Sequence, residues 1–303
     1  MQKRKLGNTG LEVTVVGFGA MTIGGAFGPV DDDVSTAALH AAIDSGMNFI
    51  DSSNAYGEGR SESLIGAFLK TRADRDDILI ISKGGNNMVT RKRNFEANYI
   101  AQCLDESLQR LGRETIDLYL LHNPSVDNMQ ALDSYAVLDK AKADGKIRHW
   151  GVSVNSVEEC DFAAVQGRPS AMQMEYNVMN QSAAAAFAAA QAAGLGVISR
   201  VPLARGFLSG RIDESKQFTD DDTRKRSLTP ENIRKLQVPL DQVKRLSTEL
   251  GVSPAELAVR FCVSNPSVSC VIPGVRTAEQ AKQNAASAEP LPAEIMAQLV
   301  GTD

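Results

Sequence analysis

Short apolar runs alternate with helix-like stretches along almost the whole chain, and no other feature restricts the fold as strongly. The runs near 14–19, 47–51, 78–83, 116–121, 147–152, 171–174, 195–200 and 268–272 have the length and composition of buried parallel strands. Helical periodicity appears between and after them, near 33–45, 60–70, 95–111, 130–144, 156–165, 181–193, 240–264 and 277–287. Asp31, Asp32 and Asp33 put acidic residues at the start of the first helix, and Gly46 and Gly145 stand where glycine ends the first and fourth. Eight such units predict an α/β fold, a closed (β/α)8 TIM barrel, with 1–303 as a single domain. Ahead of it, Lys3–Leu6, the turn residues Asn8–Thr9–Gly10 and Leu11–Val13 predict a short N-terminal β-hairpin.

Composition narrows the function classes. With 43% hydrophobic and 23% charged residues the chain reads as an ordinary globular protein, and a net charge of −5 argues against nucleic acid or an anionic membrane as partner. No apolar stretch approaches the roughly 20 residues of a membrane span and the start lacks the apolar core of a secretion signal, so the cytoplasm is the expected compartment. Cys103, Cys160, Cys262 and Cys270 have no Cys-x-x-Cys spacing and read as buried thiols. His40, His122 and His149 lack zinc-ligand spacing, and no metal is expected. Pro202 to Pro239 is the longest break in the alternation, and a loop of that length in a compact fold is expected to be a lid or a clasp over a ligand.

Four chemistry-bearing residues fall just past three successive strands: Asp51 and Tyr56 after the second, Lys83 after the third and His122 after the fourth. In a parallel barrel the C-terminal strand ends share one face, so residues far apart in sequence converge on one pocket. A carbonyl accepts hydride when a proton donor meets its oxygen. Tyr56 is the candidate donor; a nearby Lys83 ammonium is expected to lower its pKa from about 10, with Asp51 holding the lysine charged and His122 orienting the carbonyl. Each residue alone reads more readily as structural, and the weight lies in the set.

The strings that carry these residues extend the reading. LGNTGLEVTVVGFGAM (Leu6–Met21), NFIDSSNAYGEGRSESLIG, ISKGG, DLYLLHNP and VIPGVRTAEQAKQN resemble the aldo-keto reductase superfamily in its bacterial branch, from about Lys5 to Ala286. The resemblance implies NAD(P)H-dependent reduction of small carbonyl compounds without metal, with Asp51, Tyr56, Lys83 and His122 as catalytic tetrad and Tyr56 as general acid. It further implies that Gly19, Ala20 and Met21 line the cofactor site and that Ser153 and Gln173 hold the nicotinamide carboxamide. The asparagine usual directly after the serine is Val154 here, with Asn155 one position later. Arg200 stands where many members stack a tyrosine on the nicotinamide, a role a planar guanidinium can fill. Leu203, Arg205, Gly206 and Leu208 match the segment over the pyrophosphate. Gly274, Arg276, Gln280 and Asn284 match the adenosine end, with Arg276 the candidate ligand of a 2′-phosphate, which favours NADP(H) over NAD(H).

Other readings have specific weaknesses. Gly17–Phe18–Gly19 begins a dinucleotide fingerprint, but Thr22 replaces its third glycine, and these glycines read instead as close backbone approach to ligands at the barrel mouth. A barrel lyase using Lys83 as Schiff base is opposed by Asp51, which keeps the amine protonated. A cofactor-binding regulatory or scaffold protein of the same fold, with little turnover, is the alternative from a different class. Phe27, Met88, Tyr176 and Phe207 are candidates for an apolar substrate wall or for packing. The particular substrate and the oligomeric state have no signature in the sequence.

Overall fold

The computed structural model describes residues 1–300, and its strands follow the predicted apolar runs. After the antiparallel hairpin β1 (Lys3–Lys5) and β2 (Glu12–Thr14) come β3 (Phe18–Gly19), β4 (Phe49–Asp51), β5 (Leu79–Gly84), β6 (Ile116–His122) and β7 (Ile147–Ser153). The sheet continues with β8 (Ala171–Glu175), β9 (Gly196–Arg200) and β10 (Cys270–Ile272). From β3 to β10 the strands pair in parallel in chain order, and bridges Val16–Val271 and Gly19–Gly274 join the first to the last, closing the barrel.

Closure explains the early glycines. A Cβ on Gly19 would lie 2.8 Å from the carbonyl oxygens of Ile272 and Pro273, and one on Gly17 would lie 2.9 Å from Phe49. The close approach they permit is that of one strand against its neighbours.

Helices α1 (Asp32–Asp44), α2 (Arg60–Lys70), α3 (Ala97–Leu111), α4 (Val126–Gln130), α5 (Asp133–Ala143), α6 (Val157–Gln166) and α7 (Ala184–Ala192) pack outside the strands. They are followed by α8 (Pro230–Lys235), α9 (Gln237–Leu250), α10 (Pro254–Ser264), α11 (Ala278–Ala286) and α12 (Ala293–Leu299). The helix expected near 130–144 is α5, with α4 ahead of it outside any expectation, and the one expected near 240–264 is divided into α9 and α10. Leu132, at φ 58°, separates α4 from α5; Gly251, at φ 68°, ends α9, and Ser253 caps α10 by accepting from the Glu256 N–H. Periodicity runs through the α9–α10 break because both helices bury residues in the same core. No expectation covered the short α12.

Strand parity builds two cores. Phe49, Leu79, Ile81, Leu118, Leu120, Ala171, Ile198 and Ile272 point into the barrel and pack with Leu6, Leu11 and Val13 of the hairpin segment. Ile50, Ile80, Tyr119, Leu121 and Val152 point outward to the helices. The hairpin plugs the N-terminal end of the barrel: the Asn8 N–H donates to Gly194 O just before β9, and Asn48 just before β4 exchanges hydrogen bonds with Thr14. The C-terminal strand ends are left as the open end. Among the described residues no helix is long and apolar enough to cross a membrane.

Candidate functional site

Inward parity carries past the apolar layer. Two residues beyond an inward-facing neighbour, Phe49 leads to Asp51, Ile81 to Lys83, Leu120 to His122, Ala171 to Gln173 and Ile198 to Arg200. Polar groups therefore crown the same barrel that the apolar residues fill.

Asp51 and Lys83 are almost wholly buried and form an ion pair, Nζ to Oδ1, of 2.6 Å. The Lys83 ammonium also donates to Ser52 O at 2.8 Å and to the Tyr56 hydroxyl at 3.2 Å, which engages all three of its N–H groups. Such an amine has no free lone pair for a Schiff base. The second Asp51 oxygen accepts from Gln173 Nε2 at 2.7 Å, so this buried charge pair has its remaining acceptor satisfied. Tyr56 accepts from Lys83, and its own hydroxyl proton has no acceptor among the described residues. His122 stands outside this chain of bonds, its ring edge-to-face with Tyr56 at 5.9 Å and its Nδ1 2.9 Å from Ser53 Oγ.

Burial dominates the electrostatics. It pushes the Tyr56 phenol above its ordinary 10, and the adjacent Lys83 ammonium offsets this without reversing it. The expected net lowering is thus corrected: sequence shows the neighbouring charge but not the desolvation that outweighs it. Burial also opposes the Lys83 charge, but attraction to Asp51 and then Tyr56 prevails and holds the ammonium above 10.5. His122 is driven well below 6.5 by burial, reinforced by Lys83, Arg200 and Arg93, so its imidazole is neutral at pH 7.

A cleft of about 500 Å³ opens beside Tyr56, lined by Met21, Gly24, Ala26, Ala55, Glu58 and Asp221 among others. Gly19 and Ala20 precede it, and the Ala20 N–H donates to Asp51 O. Ser153 lies against Gln173 (Oγ to Oε1, 3.3 Å), and both are buried. Arg200 donates to Val154 O at 3.0 Å and to Asn155 Oδ1 at 2.9 Å, so Asn155 is engaged by the arginine. Leu203, Arg205, Gly206 and Leu208 occupy a 3-10 turn (Ala204–Ser209) and its lead-in, where Val201, Ala204 and Arg205 hold positive φ. At the turn into α11, Gln280 Oε1 accepts from the Arg276 N–H at 2.8 Å. The Arg276 guanidinium donates to Phe27 O and Pro29 O, both at 3.0 Å. Asn284 is buried on α11 with its Nδ2 unpartnered, and Arg200 Nε is likewise buried without an acceptor.

Several residues here were not predicted. Glu175 lies 4.0 Å from Arg200 and 3.7 Å from Arg205, and its spacing of two from Gln173 on β8 is the signal that puts it on the inward face. The segment after Pro202 folds back over the β3–α1 loop: Thr223 donates to Ala26 O, and the Arg224 guanidinium sits 4.6 Å over the Phe27 ring. No local signal identifies that contact. Tyr176 and Phe207 are core residues and not a substrate wall; Tyr176 stacks on Phe261 at 5.4 Å.

The sequence matches the Aldo/keto reductase family over residues 15–303. It is 30% identical over 291 residues to an NADP(+) aldo-keto reductase of Schizosaccharomyces pombe, covering 93% of this chain and 85% of that one. Among solved structures it is similar to an aldo-keto reductase of Bacillus halodurans in its holo form (27% identity, TM-score 0.82, 99% and 95% of the two chains). It is also similar to a glycerol dehydrogenase of Gluconobacter oxydans (26% identity, TM-score 0.84, 98% and 93%). On its barrel, its site and these likenesses, the chain belongs to the aldo/keto reductase family of oxidoreductases, which work with nicotinamide cofactors.

Proposed function

We propose that this chain reduces small aldehydes or ketones to alcohols, with Tyr56 as general acid and NADPH preferred over NADH. The observation that carries the reading is the state of the Tyr56 hydroxyl: its oxygen accepts from the Lys83 ammonium, and its proton is committed to no protein group. A phenol held protonated through neutral pH and steadied by a cation is suited to protonate an oxygen that becomes an alkoxide. Lys83 stabilises the phenolate that remains, Asp51 and Gln173 hold Lys83, and neutral His122 hydrogen-bonds the carbonyl oxygen.

The unpartnered donors Asn284 Nδ2 and Arg200 Nε fit a cofactor rich in acceptors. Ser153, Gln173 and Arg200 would hold the nicotinamide, Leu203, Arg205, Gly206 and Leu208 the pyrophosphate, and Gly274, Arg276, Gln280 and Asn284 the adenosine end. When bound, the cofactor supplies the hydride that reaches the carbonyl carbon.

Rapid mixing of the NADPH-loaded protein with a panel of aromatic aldehydes, ketones and sugars tests this through single-turnover loss of reduced-nicotinamide absorbance. Oxidation by at least one carbonyl class is expected. Tight NADPH binding with no oxidation across the panel would overturn it in favour of a cofactor-binding regulatory role.

A further inference from the structure

Ser53 lies outside the set that the chain's resemblance singles out, yet it is the residue that touches His122. Its side chain is fully buried, and its Oγ is 2.9 Å from His122 Nδ1. The same oxygen accepts from the Ala55 N–H at 3.1 Å. Its hydrogen therefore has three possible acceptors: His122 Nδ1 at 2.9 Å, Lys83 O at 3.4 Å and Asn54 Oδ1 at 3.4 Å. The shortest is much the best, because hydroxyl hydrogen bonds centre near 2.7–2.8 Å and weaken towards 3.4 Å. The opposite arrangement, with Nδ1–H donating to Ser53, would force the serine hydrogen onto one of the two long contacts.

We propose that Ser53 is a positioning residue that donates to His122 Nδ1 and so fixes the neutral imidazole as the Nε2–H tautomer. In a neutral imidazole one nitrogen donates and the other accepts, and the partner of one decides the state of the other. His122 Nε2 has no hydrogen-bond partner among the described residues, so the proton fixed there is available to a carbonyl oxygen. Without the serine, Nδ1 loses its donor and the ring is free to carry its proton on either nitrogen; the Nδ1–H form presents a lone pair to the carbonyl and repels it. The kinetic consequence rests on the reading of His122 as the group that orients the carbonyl; the tautomer itself does not.

The chain has three histidines, so long-range ¹⁵N–¹H correlation spectra of the NADPH-bound protein, assigned with His40→Gln and His149→Gln variants, resolve the His122 ring. The expected wild-type spectrum shows a protonated Nε2 and a pyridine-like Nδ1. A protonated Nδ1 in the wild type overturns the proposal, whether or not Ser53 variants fold. Ser53→Ala is expected to move the ring to a tautomer mixture and lower kcat/KM for carbonyl reduction about tenfold, the scale of one hydrogen bond, with the Kd for NADPH unchanged. Ser53→Thr, which keeps the hydroxyl, should restore the wild-type tautomer. Ser53→Ala with an unaltered tautomer also overturns the assignment. An altered tautomer with undiminished kcat/KM would instead remove His122 from its role in the reaction.

Discussion

Around Asp51 every buried charge is answered inside the protein, whereas around Arg276 and Asn284 the polar groups are only partly answered. In the first region Lys83 uses all its donors and Asp51 both its oxygens, and strands β4, β5 and β8 hold the side chains. In the second, Asn284 Nδ2 lacks an acceptor and Arg276 is bound to loop carbonyls; at the end of β9, between the two, Arg200 Nε also lacks an acceptor and Val201, a β-branched residue, sits at φ 58°. Strain of this kind costs about 1–3 kcal/mol per residue and persists where the surroundings enforce it. The contrast teaches a division of labour: the proposed proton donor Tyr56 is held by a Lys83–Asp51–Gln173 chain anchored on strands β5, β4 and β8, and the groups proposed to hold the adenosine end keep bonding capacity that a ligand would complete.

The sharpest way to break the comparison is Lys83→Met. It leaves Asp51 buried without its ion-pair partner, so unfolding in urea should show a loss of about 3–5 kcal/mol, and turnover should be suppressed as well. A stability loss below about 1 kcal/mol would mean that the pair is not the closed unit described. Tyr56→Phe should lower kcat by about 10²–10⁴-fold with NADPH affinity nearly intact, as steady-state kinetics and fluorescence titration can show. The two kinetic effects should not multiply in the double variant, because both act on one proton transfer.

On the cofactor side, Arg276→Ala should weaken NADPH binding by about 1.5–3 kcal/mol and NADH binding little, if its uncommitted donors meet a 2′-phosphate. Equal weakening of both cofactors would show that its bonds to Phe27 O and Pro29 O, and the loop they pin, are its whole contribution. The smallest effect is expected from Val201→Gly, which relieves the left-handed strain and should raise the unliganded protein's stability by about 1 kcal/mol. A loss of stability there would contradict a strained, ligand-completed segment.

The two regions also differ in how far they could be read from sequence. Strand ends are local: an apolar run stops, and period two assigns the next inward residue, which is why Asp51, Lys83 and His122 were legible as residues of one barrel face. Contacts between distant loops have no such periodicity. Nothing in Phe27, Arg224 or Arg276 announces that they meet, and a serine in Asp51–Ser52–Ser53–Asn54 gives no sign that it reaches His122. The direction of the Tyr56 shift is hidden from sequence for a related reason, since burial is a property of the assembled mouth and not of any string of residues.

The central claim is that the Tyr56 proton is the one delivered, and the pH dependence of carbonyl reduction tests it most directly. Reduction requires the protonated phenol, so activity should fall as pH rises through the Tyr56 pKa, which burial places above 10; His122, neutral down to well below 6.5, should add no acidic limb near neutrality. The expected kcat profile is flat through neutral pH with a single alkaline limb, and the residual activity of Tyr56→Phe should lack that limb. The same alkaline limb in Tyr56→Phe would contradict the account.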